Sequence, residues 1–229
     1  MVMKRFFTYD MLYVKYPSRA NINHWNYTNL TLENGQSVKL LTNYLNTSLN
    51  DFDVPSEGTL LNDATTATYQ YNSPFHNHRY IKKVDLMDVP FRNQSMCAAF
   101  RYCQNLQSVT NMNSQVTNMA MTFYGCYNFN SPVAIPHGVT NMYEMLCECR
   151  YFNYPLVIPN TMVNMNGAFN CCNNFNQPID ITNCSYLNDI TSLFLGCNSF
   201  NQPFNIPNHI TSLHNLFRTS NFNQPINIP

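Results

Sequence analysis

From residue 93 onward, apolar positions recur with two short periods inside one longer one. In "VTNMAMTFYGC", Val116, Met119, Phe123 and Cys126 fall at offsets 0, 3, 7 and 10. That spacing places all four on one face and predicts a short helix of about two turns. Ser95, Asn118, Asn141, Asn164, Asp189 or Ser212 stands just before the offset-3 residue of each repetition. All six are types whose side-chain oxygen caps a first helical turn. So short a helix must be held by packing. The second half of each repetition alternates instead. Val133-Ala-Ile135, Leu156-Val-Ile158, Ile179-Asp-Ile181, Phe204-Asn-Ile206 and Ile226-Asn-Ile228 each place a small or polar middle residue between large apolar ones, apart from Val157 in the second triplet. Alternation predicts three-residue strands with one face in and one face out. Flanking prolines, such as Pro132 and Pro136, limit their length, because proline supplies no ladder N–H.

The long period is near 23. Cys103, Cys126, Cys149, Cys172 and Cys197 are spaced by 23, 23, 23 and 25 residues. Phe100, Phe123, Leu146, Phe169, Phe194 and Phe217 keep the same beat, as do Leu106, Phe129, Phe152, Phe175 and Phe200, with Phe222 one residue early. Units begin near Asn93, Val116, Val139, Met162, Leu187 and Ile210. The fourth carries two extra residues around Thr182 to Tyr186, and the sixth has Ser220 in place of its Cys. A strand and a short helix repeated at this period predict an α/β repeat, a solenoid whose core forms only by stacking coil on coil. Strands of successive coils should pair in parallel, about 4.8 Å apart. A degenerate first coil is expected over 76–92, from Ile81, Val84 and Leu86.

"VTNMAMTFYGCYNFNSPVAIPHGVTNMYEML" resembles the BspA-like branch of leucine-rich repeats, including the mycoplasma-type surface-protein repeat. "FNQPFNIPNHITSL" is similar to FNIP repeats. The resemblance covers about residues 93–229, some 60% of the chain. It implies a leucine-rich-repeat-like solenoid of about 23-residue coils. It also implies binding or scaffolding rather than a reaction, since such repeats occur in surface, adhesive and viral proteins. The first unit departs from the pattern, because "LQSVTNMNSQ" lacks the proline.

Charge narrows the function. Only 10% of the 229 residues are charged, and the formal net charge is zero. Residues 93–229 hold three Arg, no Lys and four acids. No basic stripe for nucleic acid exists there. There is no P-loop, GxGxxG, GxSxG or HExxH pattern. Glu144 and Glu148, at i,i+4, read as a solvated helix face. His76-Asn-His78 has a spacing two metal ligands could share, but nothing near it completes a site. The N-terminal run is basic and broken by Asp10 and Lys15, so neither a signal peptide nor a membrane span is expected. The nine cysteines are therefore expected as free thiols. The column Cys103, Cys126, Cys149, Cys172 and Cys197 reads as a packing ladder of small buried side chains. Cys147-x-Cys149 and Cys171-Cys172 are not zinc-type pairs, so no metal or cofactor is expected. The column Asn130, Asn153, Asn176, Asn201 and Asn223 reads as an amide ladder bonding turn backbone groups.

The strand middles Ala134, Val157, Asp180, Asn205 and Asn227 are exposed by construction. They form either an ordinary solvated sheet or the contact strip for a partner. Residues 1–75 show no repeat and predict a β-leaning cap or attachment module, ahead of the solenoid at 76–229. "YTNLTLENGQSVKLLTNYL" reads as a hairpin, with Asn34-Gly35 as the turn signal. The expected function is a non-enzymatic binding or structural protein whose partner is a protein or another subunit of a larger assembly. The expected setting is a virion, as an accessory phage capsid or tail component. The alternatives are a bacterial cell-surface adhesin and an enzyme with its site in the N-terminal module. The last strand, ending at Pro229, is expected to be covered by more chain or by another subunit.

Overall fold

A computed structural model describes residues 27–32, 37–41, 81–86 and 94–228. Four strands form one sheet of order β2-β1-β3-β4: β1 is Tyr27–Leu32, β2 Ser37–Leu41, β3 Ile81–Asp85 and β4 Ser108–Thr110. β1 and β2 are antiparallel, with Thr31 opposite Ser37 and Tyr27 opposite Leu41. This is the pairing the hairpin reading requires. The Asn34-Gly35 turn itself lies outside the described residues, as does the His76–His78 pair. β1 also pairs antiparallel with β3, and β3 pairs parallel with β4. Val84 and Val109 face each other across that last pair and are both buried, while Lys83 and Thr110 are exposed. The period-2 pattern sets the register.

β4 lies in the repeat unit that lacks proline. In the later units the predicted triplets form no strand ladder. None of the backbone N–H groups of Val133–Ile135, Leu156–Ile158, Ile179–Ile181 or Phe204–Ile206 donates to a neighbouring unit among the described residues. The expected parallel strands are absent there because proline at the flanks removes ladder donors. The in-out alternation survives without the ladder, except at Ile228, which its place in the triplet predicts buried and which is exposed. Leu156, Ile179 and Phe204 are buried, while Ala134, Val157, Asp180, Asn205 and Asn227 are all exposed.

The predicted short helices are also absent among the described residues. Two consecutive four-residue turns stand in their place. In the second unit Thr122 N–H donates to Met119 O at 3.2 Å, and Cys126 N–H to Phe123 O at 3.0 Å. Met121 and Gly125, the third residues of these turns, have φ of 52° and 69°. Turns of this kind need φ > 0 at that place. The same pair of left-handed positions recurs as Ala98 and Tyr102, Glu144 and Glu148, Gly167 and Cys171, Ser192 and Gly196, and Asn215 and Thr219. A left-handed residue every fourth position forbids an α-helix. The cap side chains do act as capping predicts. Asn118, Asn141, Asn164 and Asp189 each accept the N–H two residues on, at 2.8–3.0 Å. Each cap here opens a turn rather than a helix, as such local bonds also permit.

Alternate N–H groups of the turns, freed from helical bonding, point at the next unit. Met96, Ala98, Phe100 and Tyr102 donate to the carbonyls of Asn118, Ala120, Thr122 and Tyr124 at 2.7–2.9 Å. Met119, Met121, Phe123 and Gly125 donate to Asn141, Tyr143, Met145 and Cys147 in the same way, and Ile190, Ser192, Phe194 and Gly196 to Ser212, His214, Leu216 and Arg218. Other turn donors close their own turns, as buried backbone requires. In the sixth unit, Leu213, Asn215, Phe217 and Thr219 are the corresponding donors. They find no backbone acceptor among the described residues.

Stacking also builds the core. Phe123, Phe129, Phe152, Phe169, Phe175, Phe194 and Phe200 are fully buried. Rings of one column lie nearly parallel between units, as in Phe129–Phe152 (6.0 Å), Phe152–Phe175 (5.9 Å) and Phe175–Phe200 (6.0 Å). Within a unit the two columns meet face to face, with Phe194 and Phe200 at 3.9 Å. Val116, Met119, Phe123 and Cys126 are all buried. The inward face was therefore legible although the helix was not.

Candidate functional site

Three residues of the exposed column, Val157, Asp180 and Asn205, line one groove of about 610 Å³. Ala134 and Asn227 are exposed but lie outside it. Leu156, Ile158, Pro178, Ile179 and Pro203 also line it, interspersed with polar groups. The segment that holds the fourth unit's two extra residues contributes Thr182, Asn183 and Cys184. Cys184 anchors this segment. Its side chain is buried, its Sγ lies 3.5 Å from Pro159 O, and its carbonyl is 3.0 Å from His209 Nε2.

Asp180 carries the groove's carboxylate. Its Oδ1 accepts both the Thr182 N–H (2.9 Å) and the Thr182 hydroxyl (2.6 Å). These bonds hold its carboxyl below the ordinary carboxylate range. No cation among the described residues pairs with Asp180. The sequence had flagged both the column and the extra residues. It did not show that they meet, because that depends on where the expansion folds back.

The other predicted columns serve the stack. Cys103, Cys126, Cys149, Cys172 and Cys197 are buried free thiols. The thiols of Cys126, Cys149, Cys172 and Cys197 donate to the carbonyls of Phe100, Phe123, Leu146 and Phe169 in the preceding unit, at 2.8–3.1 Å. Burial pushes their pKa values up. The Oδ1 of Asn130, Asn153, Asn176 and Asn201 accepts the backbone N–H of Asn153, Asn176, Asn201 and Asn223 respectively, at 2.8–3.1 Å.

On the turn side, Glu144 and Glu148 do not share a helix face. Each occupies a left-handed turn position, and burial raises the Glu144 carboxyl against the opposing pull of Tyr143 and Arg101. The Arg101 guanidinium lies 4.7 Å and 4.8 Å from the ring centres of Tyr102 and Tyr124. Sequence reading missed this cluster, although Arg101 and Tyr124 hold the same offset of neighbouring units and Tyr102 adjoins Arg101. Among the described residues no group of three or more His, Cys, Asp or Glu could hold a metal ion, and no helix is long and apolar enough to cross a membrane.

A family model described as "Mycoplasma protein of unknown function, DUF285" matches residues 94–161 and again 136–228. No curated protein and no solved structure matches the chain.

Proposed function

The chain belongs to this DUF285 family, and from that footing we propose that it is a non-enzymatic binding protein that presents the groove over its third to fifth units to a protein partner. The architecture proposed for it is a leucine-rich-repeat-like solenoid of the BspA and FNIP type. The regular 22-residue offset of the inter-unit hydrogen bonds in the first units, as from Met96 to Asn118 and from Met119 to Asn141, supports that architecture. One observation carries the binding role: an exposed column and the two-residue expansion of the repeat converge on one groove. A regular stack needs no such expansion. A concave surface that mixes aliphatic side chains with a fixed carboxylate suits recognition. The proposed setting is a virion, as an accessory capsid or tail component, with the bacterial cell surface as the second setting. A repeat region with only three Arg and four acids suits close packing in either.

The test places a photo-crosslinking amino acid at Asn205 in the full chain and irradiates intact particles and intact cells. A defined adduct in one preparation, lost when the probe sits instead at Asn128, exposed but outside the groove, supports the role and assigns the setting. Absence of any adduct in both preparations rejects it.

A further inference from the structure

The groove's chemistry specifies the partner segment. We infer that it receives one Lys or Arg side chain, carried on an extended peptide segment with aliphatic residues on either side. This inference rests on the binding role proposed above. Charge complementarity carries it. Residues 93–229 hold only four acidic side chains, and Asp180 alone among them lines the groove. Thr182 occupies Oδ1 with two hydrogen bonds and keeps the group ionised, so Oδ2 is left to meet a donor from outside. No cation of the described residues competes for it.

The surroundings select what accompanies the charge. Exposed Val157, Pro178 and Pro203, with half-buried Ile158, offer aliphatic surface in the same groove as the carboxylate. The stem of a Lys or Arg lies along such surface while its head reaches a charge. The backbone N–H groups of Val157, Asp180 and Asn205 make no backbone hydrogen bond among the described residues. An extended chain brings carbonyls that can meet exposed donors, as in strand addition.

The experiment uses the full chain and three fluorescein-labelled peptides that differ at one position: Val-Arg-Val, Val-Gln-Val and Val-Glu-Val cores in the same neutral flanks. Fluorescence anisotropy gives the affinities. The arginine peptide should bind tightest, and the glutamate peptide weakest. Asp180→Asn should weaken the arginine peptide by about twofold to fivefold, the upper part of the range of an exposed ion pair, and leave the glutamine peptide unchanged. Asn205→Lys, which leaves Asp180 and its Thr182 bonds in place, should weaken the arginine peptide as well. Equal affinity for all three peptides, no binding of any up to millimolar concentration, or an arginine preference that survives Asp180→Asn overturns the inference. If the Asn205 probe crosslinks a partner segment without Lys or Arg, this inference falls while the binding role stands. If neither crosslink nor peptide binding is found, both fall.

Discussion

The thiol of Cys126 donates to the carbonyl of Phe100, 26 residues earlier, at 2.9 Å. That carbonyl already closes a turn in its own unit by accepting the Cys103 N–H. Each such cysteine therefore ties its unit to the one before, in addition to filling space. In the last unit Ser220 turns its hydroxyl to Phe217 O of its own unit, at 2.7 Å, and makes no such tie. Cys149→Ala should cost about 2 kcal/mol, through a lost hydrogen bond and a small cavity. Cys149→Ser should cost less, because its hydroxyl can bond the Leu146 carbonyl as Ser220 bonds Phe217. Urea unfolding of the three proteins checks the order.

The same thiols make stability fall in alkali. Burial, with neighbouring thiols adding to it, raises the pKa of Cys126, Cys149 and Cys172 well above the ordinary thiol value. In the unfolded chain they ionise near about pH 8.5. Above that pH the unfolded state binds fewer protons than the native state, so stability declines as pH rises. Each thiol adds a slope of up to about 1.4 kcal/mol per pH unit. Urea midpoints should be flat from about pH 6 to about pH 8 and drop beyond it. Replacing Cys149 with Ser should make the drop shallower.

Gly125 is needed twice over. Its φ is +69°, and a Cβ there would lie 2.4 Å from Cδ1 of Tyr102. Gly125→Ala should cost about 1–2 kcal/mol from the left-handed backbone, plus the displacement of the ring. Adding Tyr102→Ala should recover the second part only. A double-mutant cycle in thermal unfolding measures the two separately.

The Asn ladder should respond locally. Asn153 Oδ1 accepts the Asn176 N–H at 2.9 Å and Gln177 Nε2 at 3.1 Å. Asn153→Ala should destabilise by about 1 kcal/mol and speed hydrogen exchange of the Asn176 amide. Asn153→Asp keeps the acceptor and should leave that amide protected.

By itself the sequence determined the unit length, the inward residues and the outward column. Val116, Met119, Phe123 and Cys126 are buried, and Val157, Asp180 and Asn205 are exposed, as their spacing indicated. It also determined the side-chain caps, because Asn118 and its counterparts act on a donor two residues away. The backbone path was decided only by tertiary structure. Offsets of three and four residues arise from an α-helix and equally from two consecutive four-residue turns. The difference between them is where alternate N–H groups find acceptors. Phe123 N–H meets Met145 O in the next unit rather than a carbonyl one helical turn back. That choice exists only once the units are stacked. The groove is decided in the same way. The extra residues near Thr182 were visible in the spacing, but their placement beside Val157 and Asn205 depends on neighbouring units, 23 and more residues apart in the chain, coming into contact.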